Sequence, residues 1–397
     1  MNAHPARQAP VHPDRTPVPH SARLNILFIV ADDLGYSDLG CYGNAVIETP
    51  TIDRLAKEGV RFTRFYAAGP ACMPTRASIL SGKYPLRLHC RNQHFEGPKE
   101  VSPWDPLPLE EVTFAETLRA AGYRTGYIGK WHLGAEALFP DKQGFEWVAA
   151  SGKYWNLPCY FHPYYLESLD AGPDRGYLTK VLTEEAEGFL DARRGDEPFF
   201  LFVSHYAPHI PIQAEPALVA KYQAKAKRLK LDINPVYAAM VEALDTSVAA
   251  ILAKLEALGM AERTAVIFTS DNGGFLGYGD PKKDKKKPPN AKADRAKKKK
   301  KHPPHPATAC EVPYPVVTSN APLREGKSTL YEGGLRVPLI VRLPRAGGGG
   351  RTVDTPAISM DLYPTFLALA GTALDPSQQI DGTSLVKLIE GSAEPKH

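Results

Sequence analysis

The chain has 397 residues, 43% of them hydrophobic, which is enough for one large α/β domain or two ordinary ones and too apolar for a wholly disordered chain. Its formal charge of +4 conceals a split. Residues 280–306 hold eleven Lys and one Arg against three Asp, a local +9 that leaves the rest at −5. That balance excludes a basic nucleic-acid-binding domain, and no uninterrupted apolar run is longer than that of Ile26 to Ala31, which is too short to span a bilayer. Five unevenly spaced cysteines (Cys41, Cys72, Cys90, Cys159, Cys310) form neither a disulfide framework nor a CxxC zinc pair.

Residues 1–23, with five Pro, three Arg and three His, read as a disordered tail without the apolar core of a secretory signal, and no second Met precedes Met73. Order begins with LNILFIVA (24–31), a continuous apolar run expected to be a strand buried on both faces. A helix is expected over 49–59, with Thr51 as N-cap and Gly59 as stop, then a strand over 60–67. A short helix, Ala77 to Leu80, follows Cys72. Further along come a helix over 114–122, a strand over 123–129, a helix from Tyr177 to Arg194 and a strand over 198–205. A helix from Val236 to Leu258 has apolar residues at 241, 244, 248, 251, 252 and 255, and strand 264–270 comes next. A strand over 335–343 and a helix over 361–371 complete the series. The Lys/Pro-rich segment 280–306 has no apolar period and reads as a disordered, solvated insertion. Alternating strands and helices imply a large, mostly parallel sheet covered by helices on both faces, with ligands at the carboxyl ends of the strands.

Two of those strands end in Asp32-Asp33 and Asp271-Asn272. If the strands are neighbours, four oxygen-bearing side chains converge, a ligand set that suits a hard cation, Ca²⁺ ahead of Mg²⁺. Each pair by itself is equally a turn or a helix cap. Cys72 stands before a helix with Arg76 one turn on, a setting expected to favour a thiolate, although an isolated cysteine is more often structural. Lys130 and His132, two apart after a strand, can face the same side. His205 reads as a strand-end histidine outside the site.

CMPTRASILSG (72–82) resembles the maturation signature of the type I, formylglycine-dependent sulfatases, arylsulfatase-like members of the alkaline phosphatase superfamily. Cys72, Pro74 and Arg76 match its core, while Met73, Thr75 and Ser81 depart from the usual residues. Five further segments resemble that family in order: 29–43, GYRTGYIGKWHLG (122–134), HYAPHIPIQ (205–213), SDNGG (270–274) and 321–341. The resemblance covers residues 24–390 and implies one catalytic domain over 24–397, carrying the insertion at 280–306 and a truncated C-terminal antiparallel subdomain. It implies a sulfuric ester hydrolase acting on an aryl sulfate or a sulfated carbohydrate. On that resemblance Cys72 would be converted by a formylglycine-generating enzyme to the aldehyde, whose hydrate would attack sulfur. The metal would be held by Asp32, Asp33, Asp271, Asn272 and modified Cys72. Arg76, Lys130 and Lys327 would clamp the sulfate, His209 or Lys327 would protonate the leaving oxygen, and His132 would deprotonate the remaining hydroxyl. The alternatives are a phosphonate monoester or phosphodiester hydrolase, or an immature, non-catalytic binder of sulfated glycans; no specific nucleic acid or membrane partner is expected. The compartment stays open, since 1–23 points to the cytoplasm and the resemblance to the periplasm or export.

Overall fold

The structure is a computed structural model that describes residues 23–88, 106–152, 157–166, 169, 173–192, 195–277, 316–344 and 349–392. The tail 1–22 and the insertion 280–306 lie outside these residues, as does most of 88–105.

Strands β1 (Asn25–Ala31), β2 (Val60–Tyr66), β3 (Arg124–Gly129), β4 (Trp147–Ala149), β5 (Phe199–Ser204), β6 (Thr264–Ser270), β7 (Arg336–Arg342), β8 (Arg351–Val353) and β9 (Ala357–Ile358) form one sheet. The order is β4-β3-β5-β1-β6-β7-β2-β8, with β9 also on β2. Every pairing is parallel except the two made by β7, which is antiparallel to β6 and to β2. The apolar runs explain why β1, β5 and β6 are central. All seven residues of β1 are buried, Leu27, Ile29 and Ala31 facing one core and Ile26, Phe28 and Val30 the other.

The helices are α1 (Pro50–Glu58), α2 (Cys72–Ser81), α3 (Phe114–Ala120), α4 (Leu178–Asp191), α5 (Pro216–Leu229), α6 (Pro235–Ala257), α7 (Glu332–Leu335), α8 (Leu362–Leu369) and α9 (Val386–Glu390). Helices α1, α4 and α6 pack on the first face, α2, α3 and α8 on the second. Among the described residues α6 is the one helix long and apolar enough to cross a membrane. Its apolar side chains are spent on the core against α4 and the sheet.

Two expectations are corrected. The N-cap of α1 is Thr49, with Pro50 as the first helical residue, instead of Thr51. The free amides of Thr51 and Ile52 are capped by the Asp245 carboxylate of α6, at 3.1 and 2.8 Å. Helix α2 begins at Cys72 itself and not at Ala77. Helix α5 escaped the periodicity because only Tyr222 of it is buried; Lys221 and Lys225 fasten it to Glu48.

The second core face centres on Phe366 of α8, whose ring lies 4.9 Å from Phe28, 5.0 Å from Phe114 and 5.1 Å from Phe200 between centroids. Phe366→Ala should lower the unfolding free energy by about 3–5 kcal/mol, read as a reduced midpoint in urea with an unchanged slope.

Candidate active site

The parallel strands bring their carboxyl ends to one edge. Ala31 pairs with Ser270, Val30 with Ser204, and Gly129 with Ser204, so β3, β5, β1 and β6 stop at nearly the same level. Their next residues are Lys130, His205, Asp32 and Asp271. The β2 strand runs the same way and delivers a turn that opens α2 at Cys72. Because β7 is antiparallel, it is its amino end that meets this edge, and the preceding loop carries Lys327. Six separated segments are thereby delivered to one place.

Local chemistry shapes each delivery. The Thr75 hydroxyl donates to the Gly69 carbonyl at 2.9 Å and accepts the Gly69 amide at 3.2 Å, closing the turn before α2. Gly82 in the left-handed region (φ 69°) ends that helix. Asp33 (φ 63°) and His132 (φ 60°) occupy the left-handed region without being glycine, a conformation that costs roughly 1–2 kcal/mol and persists where surrounding contacts over-determine it. A Cβ on Gly273 would lie 1.8 Å from the Gly333 carbonyl oxygen, so the loop after Asn272 and the start of α7 touch backbone to backbone.

At the centre, ligand atoms of Asp32, Asp33, Cys72 and His209 lie within 4.8 Å of one another, all four buried. Asp32 accepts from the Lys130 ammonium and from the Cys72 thiol, the latter at 3.3 Å. Both Asp33 oxygens lie 2.8 Å from Lys327 Nζ, and its Oδ1 also accepts from Asn272 Nδ2 at 2.7 Å. Asp271 Oδ1 accepts the Asp33 amide at 3.2 Å, and Oδ2 takes Arg76 Nε at 2.8 Å. His209 Nε2 is 3.6 Å from Asp33 Oδ2, and Nδ1 lies 2.6 Å from the Ile210 carbonyl. All ten residues singled out from the sequence are therefore in or around one cluster, His132 among them through its interaction with Lys130, Arg76 and Lys327.

The charges set one another. Burial works against ionised Asp33, but Lys327 and Lys130 outweigh it and hold its carboxyl well below the usual range. Burial and the neighbouring Asp32 push Asp271 up to about 6 against the pull of Arg76. Burial, then Lys130 for His132 and Lys327 for His209, depress both imidazoles, so they are neutral near pH 7. For Cys72 the expectation of an activated thiolate is corrected. Burial, reinforced by Asp32, pushes the thiol well above its ordinary value despite its position at a helix start. An unmodified Cys72 is thus a protonated thiol and a poor nucleophile.

A hard cation fits this donor set. The carboxylates and the Asn272 amide are oxygen donors, and Asn272 Oδ1 is buried with no hydrogen-bond partner among the described residues. The thiol sulfur is the one soft member. Three residues that the motifs did not flag support the cluster. Ser204 Oγ sits between Arg76 Nη1 (2.5 Å) and the Lys130 carbonyl (2.7 Å), and the Tyr127 hydroxyl donates to that same carbonyl. Asp38 accepts from Tyr237 Oη at 2.6 Å and the Gly35 amide at 2.8 Å. Ser204 closes a strand whose apolar run masked its role. His205 indeed lies apart: its Nε2 is 3.4 Å from Ser247 Oγ on α6, and burial lowers it to about 3.

The fold and this cluster define an α/β protein with a buried candidate metal site at the carboxyl edge of its sheet, and comparison with known proteins names the family. The sulfatase family model matches residues 24–372, and the chain belongs to that family. It is 34% identical to human arylsulfatase A over 93% of this chain and 68% of that protein. It is 33% identical to the N-acetylgalactosamine-6-sulfatase of Canis lupus familiaris, over 92% of this chain and 66% of that one. The chain thus spans about two thirds of the length of these relatives. Among solved structures, Ps i-CgsB in complex with k-i-k-neocarrahexaose aligns with a TM-score of 0.72 at 30% identity, over 93% of this chain and 76% of that one.

Arg76 and Asp271 are 2% and 0% exposed, so Arg76→Ala strands a carboxylate in the interior. The loss should be about 3–5 kcal/mol in a urea titration, and adding Asp271→Asn should restore part of it by removing the stranded charge.

Proposed function

We propose that this chain hydrolyses sulfate monoesters, those of sulfated carbohydrates by nature and aryl sulfates in the test tube, after its own Cys72 has been converted to formylglycine by a separate maturing enzyme. The observation that carries the reading is the convergence of Asp32, Asp33, Cys72 and His209 in one buried cluster flanked by Lys130, Lys327 and Arg76. An anionic ester needs its charge neutralised, a nucleophile held in line and its leaving oxygen protonated. A carbohydrate substrate is supported by two relatives, one named for N-acetylgalactosamine-6-sulfate and one solved with k-i-k-neocarrahexaose.

Asp32, Asp33, Asp271 and Asn272 would hold Ca²⁺, with the oxygen of modified Cys72 completing the set. A cation in such a site supplies Lewis acidity toward a sulfate oxygen and toward the nucleophile. An aldehyde hydrate at position 72 supplies the hard oxygen that the thiol lacks, and a second hydroxyl that lets the site reset. Lys130, Lys327 and Arg76 would neutralise the sulfate charge. With Nδ1 donating to the Ile210 carbonyl, His209 Nε2 carries its lone pair and gives a proton to the leaving oxygen only after gaining one. Lys327 Nζ already holds its protons, kept there against burial by the Asp33 and Asp32 charges, so it can donate without first gaining one, while those same charges make it the weaker acid of the two. His132, neutral at pH 7, takes the proton from the remaining hydroxyl.

Protein produced together with a formylglycine-generating enzyme should turn over an aryl sulfate and prefer it to an aryl phosphonate; a reversed preference selects the phosphonate hydrolase instead. Exhaustive chelation should remove turnover and added Ca²⁺ restore it more fully than Mg²⁺. Asp271→Asn, which keeps the shape beside Arg76, should abolish turnover with circular dichroism unchanged; full activity after chelation contradicts the metal assignment.

A further inference from the structure

Three of the loops at the sheet edge meet on a side chain that lies just outside every motif. Asn320 is 2% exposed. Its Oδ1 accepts the Gly274 amide at 3.1 Å, and its Nδ2 donates to the Gly274 carbonyl at 2.9 Å and the Glu325 carbonyl at 3.1 Å. The space for this amide is made by three glycines. A Cβ on Gly35 would lie 2.4 Å from Asn320 Oδ1, one on Gly274 3.0 Å from the same atom, and one on Gly326 2.6 Å from Nδ2. Gly35 follows Asp32-Asp33, Gly274 follows Asp271-Asn272, and Gly326 precedes Lys327.

The loop that Asn320 holds is also tied through its own backbone, Gly333 N donating to the Arg324 carbonyl at 2.8 Å and Thr329 N to the Gly326 carbonyl at 3.1 Å. Glu325 (φ 61°) and Ser328 (φ 71°) flank Lys327 in the left-handed region, and Arg324, Glu325 and Leu330 are exposed. Its backbone is anchored by Lys327 N to the Gly274 carbonyl at 3.1 Å and Ser328 N to the Pro70 carbonyl at 2.7 Å. The first anchor uses the same Gly274 carbonyl that Asn320 Nδ2 holds. Thr318, two residues upstream, donates to Asp38 Oδ1 at 3.1 Å and so fastens the same segment to the first acidic loop.

We infer that Asn320 is the positioning residue for Lys327: by clamping Gly274 and Glu325 together it sets where the Lys327 ammonium stands relative to Asp33. The side chain must present one acceptor and two donors in a single plane, in a space bounded by three backbones. Asp lacks the donors, and Gln is one methylene too long for a space in which even a Cβ on the neighbouring glycines has no room. The kinetic part of this inference rests on the sulfatase reading above; the structural part does not.

The test uses the full chain, matured, as wild type, Asn320→Ala, Asn320→Asp, Lys327→Ala and Asn320→Ala/Lys327→Ala. Hydrogen exchange should accelerate at the amides of 325–329 in both Asn320 variants while β1 and β6 keep wild-type protection. On an aryl sulfate kcat/KM should fall by about 10–100-fold in Asn320→Ala, as for other residues that orient a ligand-bearing group. The double variant should be no slower than Lys327→Ala alone, because a residue that acts through Lys327 has nothing left to position. Unchanged exchange at 325–329, or losses that multiply in the double variant, overturns the inference. If Asn320→Ala does not fold, Asn320→Asp, of the same shape, carries both measurements, with the Asn320→Asp/Lys327→Ala double variant completing the comparison. A wild type that turns over no sulfate ester defeats the sulfatase reading and leaves the exchange result to decide the role of Asn320.

Discussion

Three carboxylates, Asp32, Asp33 and Asp271, are buried side by side at the ends of two adjacent parallel strands, and the rest of the site exists to make that tolerable. Like charges removed from water repel strongly and cannot all stay ionised without compensation. Lys130 faces Asp32, Lys327 faces Asp33 and Arg76 faces Asp271, each from a different loop. The compensation is incomplete, for Asp271 stays near 6. A site with three buried carboxylates and an Asn272 oxygen that has no hydrogen-bond partner among the described residues has capacity for a further positive charge, and under the proposed reading the lysines that balance it would also receive an anionic ester.

Sheet topology makes this arrangement possible. Parallel strands put Asp32 and Asp271 at one edge because β1 and β6 are neighbours in register, and because β7 runs antiparallel it starts at that edge, so the loop just before it supplies Lys327 there. The dense core on both faces, with Phe28 and Phe366 on one side and α6 on the other, holds the strand ends at fixed height. A shift of one strand by one residue would turn its acidic pair away from the cluster.

Much of this was legible in the residues. The runs NILFIVA and TAVIFTS are buried on both faces and announce central strands, and the acidic pairs after them announce the site. The order of six motifs was sufficient to identify the family that the comparisons name. What could not be read depends on contacts distant in sequence. Asp245 caps α1 from 193 residues away at Ile52. Asn320 reaches Gly274 across 46 residues. Helix α5 buries only Tyr222 fully, with Leu218 and Val219 packed partly buried against the core, and Lys221 pairs with Glu48 and Glu242. Cys72 misled in the other direction: a helix start and a nearby arginine suggested a thiolate, but complete burial beside Asp32 dominates.

That last point places the weight on one atom, because a protonated thiol among hard oxygen donors is ill suited to attack an ester. The chemistry at Cys72 is tested most directly by the mass of the tryptic peptide 65–76 from a preparation that turns over an aryl sulfate. The account predicts a fraction in which one sulfur and two hydrogens have been replaced by one oxygen, with turnover proportional to that fraction across preparations. Turnover by protein in which this peptide carries only the intact thiol contradicts it.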